Sequence, residues 1–486
     1  MRLKMPFVSL STGLFVLAVL AVFQLSPPRL RAVVLLVASY AFYLAWSPQG
    51  AIWLLAVSAV AYLAALAVER PRAGARQALV ALSAVACLLT VLLGFKLADA
   101  LRAHLGAGGG KTGGDGLVAA LLPLGMSYYV FKLVGYLLDV YWGRRPAVHS
   151  FAALALYASF FPQIVAGPIE RPDDFFAQVE RLELDPEGIA AGLRRILFGF
   201  FKKFAIADRL AVLVGAAHAD PATHSALELF IAADLFALQM YADFSGFTDI
   251  AIGLGQLFGV KGPENFQLPF FARSLPEFWR RWHMSLTSWL TDYLFTPLRM
   301  ALRDFGQAGL ALAILVNMLA IGVWHGLSLT YAAFGLFNGL ALAASALTLS
   351  RRTAFYRTRP RLSKVRAVLA PVVTFHLFAA SLILFRANSM ASALGYFAHL
   401  VPARGAVPAF RHDWGQLGGL APRSLLVILL TAVVMEAIHW ARGEPRAVER
   451  FLTLPRALRW GAYYAAVIAT LALGEVGAHA FIYAQF

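Results

Sequence analysis

Long apolar runs recur along most of this 486-residue chain, and they constrain its fold more than any other feature. The hydrocarbon core of a bilayer is about 30 Å thick, so a helix of about 20 apolar residues crosses it. Hydrophobic residues make up 60% of the chain and charged residues 14%, against roughly 45–50% and about 25% in soluble proteins. The composition excludes a disordered, fibrous or disulfide-bonded secreted protein, and it predicts an all-α, polytopic integral membrane protein.

The apolar segments predict about 11–13 transmembrane helices. Two segments, 157–168 and 244–269, are apolar but interrupted by proline and glycine. Backbone that leaves the helix at membrane depth must be buried in protein or line a cavity, so both predict re-entrant elements around an internal chamber. The predicted spans are 7–25, 30–46, 51–68, 78–97, 117–141, 189–214, 226–241, 286–300, 310–324, 331–349, 365–385, 424–440 and 460–480.

No internal repeat and no soluble segment interrupts this series of apolar runs. We therefore predict one membrane domain over residues 1–486. It comprises N-terminal helices (1–116), a motif-bearing core (117–349) and C-terminal helices (350–486).

Basic residues outnumber acidic ones 42 to 26, which gives a net charge of +16. In a soluble protein this excess would indicate a nucleic-acid partner. Here the arginines concentrate in alternate loops, above all 351–366 and 442–459, and basic loops stay on the cytoplasmic side of a membrane. The pattern predicts that both termini and the loops 98–116 and 387–423 lie outside, and it requires no nucleic acid.

Metal-ligating residues are too dispersed in the sequence for a metal site. Cys87 is the only cysteine, and no His, Cys and Asp cluster has the spacing of metal ligands. We expect no bound metal ion.

Residues 274–297 combine a strong helix start with a histidine. Ser274 and Glu277 fit a capping box, and we expect the helix to continue through His283 to near Pro297. Helical spacing places His283 on one face with three apolar residues and Arg281 nearly opposite. The alternative is an interfacial belt of Trp and Arg. The residues of the shared face are Trp279, His283, Leu286 and Leu290.

A second histidine, His325, lies between Trp324 and Gly326 at the end of an apolar run. Imidazole titrates near neutral pH and can take a hydroxyl proton as the general base of an acyl transfer. The flanking glycines allow other backbone or a ligand to approach closely. The alternative is a core histidine that is hydrogen-bonded to a neighbouring helix.

Two carboxylates in an apolar segment, Asp243 and Asp249, form a third candidate. They fit a proton relay or a cation site, as ionisable groups in membrane segments often do. The sequence Asp-x-Ser-Gly that ends at Gly246 is also typical of turns, and this favours capping of helices beside a re-entrant turn.

Five motifs follow one another in chain order: Ser-Phe-Phe-Pro-Gln-Ile-Val-Ala-Gly-Pro-Ile (159–169), Asp-Phe-Ser-Gly (243–246), Glu-Asn-Phe (264–266), Glu-Phe-Trp-Arg-Arg-Trp-His (277–283) and Trp-His-Gly (324–326). Together they resemble the motifs of the membrane-bound O-acyltransferase (MBOAT) family. Within it the chain is similar to the bacterial branch of alginate O-acetylation proteins, to which the D-alanine transfer protein of teichoic acid synthesis is related.

The resemblance implies a ring of helices around a central tunnel. It implies that His325 is the catalytic histidine and His283 a second functional histidine. After Leu294 the chain departs from the family's glycine-rich pattern and reads Phe-Thr-Pro-Leu-Arg. Further residues on the motifs are candidates for contact with substrate or tunnel: Trp324, Trp282, Arg280, Asn265, Asp243, Ser245 and Gln163.

The resemblance also implies a reaction. An acyl group, most simply acetyl, would move from a cytoplasmic thioester (acetyl-CoA or an acyl carrier) toward hydroxyls of a cell-surface or exported polysaccharide. It implies no bound cofactor, a multi-pass location in the bacterial inner membrane with periplasmic termini, and a periplasmic acyltransferase as a partner. The alternative is a multi-span transporter or flippase that uses intramembrane Asp and His as a proton relay, without acyl chemistry.

Overall fold

A computed structural model describes residues 9–69, 74–106, 123–183, 185–401 and 422–474. These residues are almost entirely helical, and no β-strand occurs among them. Seven of the described helices are long and apolar enough to cross a membrane, which confirms the prediction of an all-α polytopic membrane protein. They are Pro28–Trp46, Pro48–Val68, Ala75–Arg102, Arg303–His325, Leu329–Leu347, Pro360–Arg386 and Leu426–Gly443.

Several other predicted spans form shorter or interrupted helices. Leu10–Leu25 is apolar but short. The predicted span 189–214 contains the π-helical turn Lys202–Ala207, and the predicted span 286–300 contains the π-helical turn Thr291–Phe295. π-turns inside helices frequently mark functional sites. The predicted spans 117–141 and 460–480 lie partly outside the described residues.

The chain divides into two compact units, of which the first comprises residues 1–196 and 248–263. Its core includes Phe161, whose ring makes edge contacts with Phe15 at 5.5 Å and Phe258 at 5.6 Å. The helices that lie wholly within it are α1 (Leu10–Leu25), α2 (Pro28–Trp46), α3 (Pro48–Val68), α4 (Ala75–Gly106), α5 (Met126–Tyr141), α6 (Phe151–Ser159) and α7 (Pro172–Val179).

The interruption predicted at 157–168 is present in the first unit. Helix α6 ends at Ser159, and residues 160–170 are buried without forming a helix. Gly125 has a positive φ of 68°, and a Cβ there would overlap the carbonyl oxygen of Ile164. The segment is thus non-helical backbone buried in protein, as backbone at membrane depth must be.

The second unit comprises residues 197–247 and 264–486. Helices α8 (Pro186–Phe201) and α10 (Ala226–Leu257) contribute residues to both units. The other helices are α9 (Asp208–Ala219), α11 (Leu275–Trp279), α12 (Met284–Leu290), α13 (Thr296–Ala301), α14 (Gly306–His325), α15 (Leu329–Leu347), α16 (Leu349–Arg357), α17 (Pro360–Arg386), α18 (Met390–His399), α19 (Pro422–Gly443), α20 (Pro445–Thr453) and α21 (Arg456–Leu473).

The prediction of one long helix after Ser274 is wrong beyond Trp279. Its start is as predicted, since Ser274 Oγ accepts a hydrogen bond from the backbone N–H of Glu277. The helix ends at Trp279, however, and His283 has a positive φ of 44°, which a right-handed helix does not contain. The Met284 N–H donates to the carbonyl of Asn265 at 2.9 Å. This tertiary bond replaces an intrahelical one at the break.

The turn predicted around Asp243 is also wrong, because α10 runs unbroken through it. Asp243 accepts from Lys203 at 2.7 Å, and Asp249 accepts from Arg195 at 2.7 Å. Ion pairs with other helices satisfy both carboxylates, so neither is needed as a cap. Non-helical backbone begins only after Leu257, and it extends through residue 268.

Only residues 387–401 of the outer loop predicted at 387–423 are described, and helix α18 occupies most of them. The remainder, from 402 to 421, lies outside the described residues.

Candidate active site

The two histidines singled out in the sequence line one small cavity in the second unit, with a volume of about 10 Å³. His325 is the last residue of α14, and His283 immediately precedes α12. The Trp324 ring lies beside both, with centroid distances of 5.8 Å to His283 and 4.9 Å to His325. The remaining wall includes Met240, Trp279, Trp282, Phe334 and Phe385.

Asn265 fixes the orientation and the tautomer of His283. Its Oδ1 accepts hydrogen bonds from the Ser285 backbone N–H at 3.1 Å and the Ser285 hydroxyl at 2.9 Å. A backbone N–H can only donate, so this amide atom is the oxygen. The His283 Nδ1, 3.2 Å from the same oxygen, must therefore carry the proton and donate. Neutral His283 thus has an unprotonated Nε2.

His283 is almost fully buried, with 2% of its surface exposed. It lies outside the seven candidate spans, and burial lowers its pKa well below the ordinary histidine value, because desolvation disfavours the imidazolium. A neutral imidazole is the form that can accept a hydrogen bond or a proton through Nε2.

His325 lies against aromatic rings at the end of α14. The ring centroids of Phe385 and Tyr331 are 4.9 Å and 6.3 Å from it. A Cβ on Gly326 would lie 2.6 Å from the Tyr331 ring, so only glycine allows Tyr331 to pack here. The close approach predicted for the glycines beside His325 is therefore present.

Trp279 contributes a polar group to the same cavity. Its indole Nε1 is buried and has no hydrogen-bond partner among the residues that the structure describes. The indole N–H is a donor only, and a buried donor without a partner is costly. A substrate oxygen in the cavity would satisfy it.

Trp282 packs in an aromatic cluster that backs this cavity. Its ring centroid is 5.1 Å from Phe266, 5.6 Å from Phe278 and 4.8 Å from Phe378. Because Trp282 is only 3% exposed, it is part of the protein core, and the alternative of an interfacial tryptophan belt is not supported. Arg280, in contrast, is exposed and is absent from the cavity wall.

Asp243 and Ser245 belong to a buried polar network around the π-turn Lys202–Ala207. Lys203 Nζ lies 2.7 Å from Asp243 and 2.8 Å from Asp208. Lys202 Nζ donates to Ser245 Oγ at 3.2 Å and lies 2.6 Å from His439 Nε2.

Lys202 and Lys203 were not among the predicted site residues, although their position in the sequence marks them. Two lysines inside the apolar segment 189–214 are candidates by the rule that ionisable groups in membrane segments are functional or paired.

The predicted site residues therefore fall into four groups. Gln163 belongs to the first unit, where it is 3% exposed and a Cβ on Gly262 would lie 3.0 Å from its amide nitrogen. Arg280 lies at the surface. Asp243 and Ser245 belong to the polar network around the π-turn. The residues that the structure brings together at or beside the cavity of the second unit are His325, His283, Trp324, Trp282 and Asn265.

Across the described ranges, no group of three or more His, Cys, Asp or Glu residues has an arrangement that could hold a metal ion.

These features define a polytopic membrane protein with a buried, histidine-lined site. Residues 144–385 match the family model of MBOAT, the membrane-bound O-acyltransferase family. The chain is 33% identical to "Probable alginate O-acetylase AlgI" of Pseudomonas putida over 454 residues, which are 89% of this chain and 88% of that relative. This chain belongs to the membrane-bound O-acyltransferase family and is an acyltransferase.

Other relatives agree with this assignment. "Probable alginate O-acetylase AlgI" of Pseudomonas aeruginosa is 34% identical over 391 residues, or 78% of this chain and 71% of the relative. A "Teichoic acid D-alanyltransferase" of Bacillus subtilis is 29% identical over 269 residues, or 52% of this chain and 66% of the relative.

Proposed function

We propose that this membrane O-acyltransferase transfers an acetyl group from a cytoplasmic thioester to hydroxyls of a cell-surface or exported polysaccharide, with His325 as the general base. The observation that carries the proposal is that His283 and His325, both buried, line one cavity in a membrane fold. The names of the alginate relatives support acetyl as the group and a polysaccharide as the acceptor.

The proposed reaction is a direct acyl transfer. The acceptor hydroxyl gives its proton to His325 as its oxygen bonds to the thioester carbonyl carbon. The resulting tetrahedral oxyanion collapses, the C–S bond breaks, and the thiolate leaves and takes up the proton. The apolar, aromatic surroundings of the buried histidines would limit access of water, which would otherwise hydrolyse the thioester, and binding of both reactants beside His325 would hold them in contact.

The tautomer of His283 excludes it as the donor that stabilises the oxyanion. Its Nδ1–H is used by Asn265, so the neutral ring has no further N–H to donate. It can instead orient the substrate by accepting a hydrogen bond at Nε2. We assign the oxyanion contact to the Trp279 indole N–H, a donor in the cavity wall without another partner in the described part of the chain, since oxyanion holes are built from such fixed donors.

The proposal includes a bacterial inner-membrane location with both termini in the periplasm. The donor, acetyl-CoA or an acyl carrier, would arrive from the cytoplasm as a co-substrate, and no cofactor would stay bound. A periplasmic acyltransferase would act with this chain on the polymer. The concentration of arginines in alternate loops supports the orientation.

The transporter alternative has weaker support than acyl transfer. A proton relay needs carboxylates that can titrate, whereas Asp243 pairs with Lys203 and Asp249 pairs with Arg195. Close ion pairs hold a carboxylate in its charged form.

The test uses purified full-length protein in nanodiscs, supplied with radiolabelled acetyl-CoA and acceptor oligosaccharide. We expect His325→Ala to lower label transfer by about 100-fold or more, the usual contribution of a general base. His399→Ala is the matched control, because His399 is an exposed histidine of α18 and should leave transfer unchanged. Wild-type transfer by a well-folded His325→Ala protein would contradict the proposal.

A further inference from the structure

A second, larger cavity of about 550 Å³ lies beside His325 in the second unit. Tyr331 and Phe385 line it, and these are the two rings in contact with His325 at 6.3 Å and 4.9 Å. Its volume is in the range of small-molecule sites. A group bound in this cavity is therefore one aromatic layer away from the proposed base.

Arg386, the last residue of α17, is the charged group of this cavity. Its guanidinium carbon lies 4.8 Å from the centre of the Phe236 ring, a cation–π geometry. On another side, Nη2 of Arg386 lies near the backbone of Gly215, since a Cβ built on that glycine would be 3.9 Å from Nη2. The side chain is half-buried, and the ring contact restricts the positions that its planar fork of donors can take.

This guanidinium has no protein counter-ion in the part of the chain that the structure describes. No ion pair or hydrogen bond joins it to a described residue, and no described Asp or Glu lines the cavity. The other polar lining groups are neutral or already engaged: the Tyr396 hydroxyl donates to the Leu229 carbonyl at 2.7 Å, and His218 Nδ1 donates to the Val214 carbonyl at 2.9 Å. A partly buried cation without a counter-ion is costly, and an anionic ligand would remove that cost.

We propose that this cavity is an anion subsite for the acceptor, in which Arg386 binds a carboxylate or phosphate group carried by the hydroxyl-bearing unit. Arginine recognises both groups through two parallel N–H···O bonds. Binding there fixes the distance between the charged group and the hydroxyl that reaches His325. This inference rests on the proposed acyl transfer, and it adds that the acceptor is an acidic polymer.

Binding of defined probes tests the subsite without requiring any reaction. Three fluorescently labelled tetramers are titrated against full-length protein in nanodiscs: a hexuronate, a glycerol phosphate and a neutral glucose oligomer. We expect an acidic probe to bind about 10-fold more tightly than the neutral one, because hydrogen bonds between charged groups add a binding free energy of about that size. Preference for the hexuronate supports a carboxylate ligand, and preference for glycerol phosphate supports a phosphate ligand.

Variants at two positions assign the preference to this cavity. Arg386→Gln should bind acidic and neutral probes equally, while Arg386→Lys should keep part of the preference because it keeps the charge. Ser392 also lines the cavity and is exposed, so Ser392→Asp should fold and should weaken acidic probes by supplying a competing carboxylate. The matched control is Arg361→Gln, an exposed arginine, which should change nothing.

The outcomes separate this inference from the proposed function. Equal binding of all three probes by the wild type, or a preference that survives both Arg386→Gln and Ser392→Asp, would overturn the subsite even if acetyl transfer occurs. An Arg386-dependent preference in a protein whose transfer does not depend on His325 would support the subsite and reject the mechanism.

Discussion

A single amide oxygen, Oδ1 of Asn265, determines which nitrogen of His283 carries a proton. Three donors converge on it, two from Ser285 and one from His283 itself. The motifs placed both Asn265 and His283 among the candidates, but nothing in their spacing joined them, because residues 18 positions apart meet only through tertiary folding. The tautomer, and hence the chemical role of His283, was not predictable from the sequence.

Replacement of Trp279 by phenylalanine tests its assignment as the oxyanion donor. The change keeps an aromatic ring and removes the indole N–H, so we expect the rate constant of acetyl transfer to fall by about 10²–10³-fold, the usual effect of losing one such donor. The KM for the acceptor should change little, since the donor acts mainly in the transition state. Steady-state kinetics with the labelled donor measure both constants.

The control for this variant is Trp440→Phe. Trp440 belongs to α19 and is 60% exposed. It should transfer acetyl at the wild-type rate. A Trp279→Phe protein with an unchanged rate constant, or with only a raised KM, would remove Trp279 from the proposed oxyanion contact.

At the scale of elements, the sequence predicted the features that depend on neighbouring residues, such as a helix cap. It did not predict where tertiary contacts end a helix or keep one continuous. Ser274 caps α11 as predicted because the capping hydrogen bond involves only neighbouring residues. The helix then stops at Trp279 because the backbone that follows bonds to residues 265–267 instead: the Met284 N–H donates to the Asn265 carbonyl, and the Arg281 carbonyl accepts from the Gln267 N–H. Likewise, Asp243 fits a turn locally but stays helical, since Lys203 on another element neutralises it.

Helix α14 holds His325 in place through its close packing on α15, which depends on glycine. A Cβ on Gly322 would overlap the carbonyl oxygen of Tyr331, and a Cβ on Gly335 would lie 2.5 Å from the carbonyl oxygen of Met318. Both obstacles are backbone atoms, which cannot move aside as a side-chain tip can. We expect Gly322→Ala to lower the free energy of unfolding by about 1–3 kcal/mol, as overpacking does.

The same variant should also reduce acetyl transfer, because Gly322 lies one helical turn before His325. Thermal denaturation in detergent and the labelled-donor assay measure the two effects. Gly94→Ala is the matched control: this glycine of α4 has nothing within 4 Å of the added Cβ, so alanine there should stabilise the helix by up to about 1 kcal/mol. Equal denaturation temperatures for the two variants would show that the α14–α15 contact is not tight.

At the scale of the whole molecule, the charge of +16 has two separate consequences. Most of the surplus lies in segments that the sequence predicts as loops, such as 351–366 and 442–459, where it predicts orientation. A small part lies inside the protein as Lys202 and Lys203, which are 0% and 3% exposed and contact polar groups of other helices. Composition counts both kinds of residue alike, and only the fold separates the surface charge from the buried charge.

The orientation of the chain in the membrane can be tested with residues on either side of a single helix, α17. Its 27 residues span about 40 Å at 1.5 Å per residue, enough to separate Thr358 before it from Asn388 after it. Both residues are exposed. The basic loop 351–366 is predicted to be cytoplasmic by the positive-inside rule, so Asn388 should face the periplasm.

Because Cys87 is the only cysteine, Cys87→Ser gives a cysteine-free background for this measurement. In intact cells, a membrane-impermeant maleimide should label Asn388→Cys and leave Thr358→Cys unlabelled. After permeabilisation both should react, which controls for accessibility, and the background protein should remain unlabelled throughout. Labelling of Thr358→Cys in intact cells would reverse the orientation. It would place the Arg386 cavity on the cytoplasmic side and exclude it as a site for an exported acceptor.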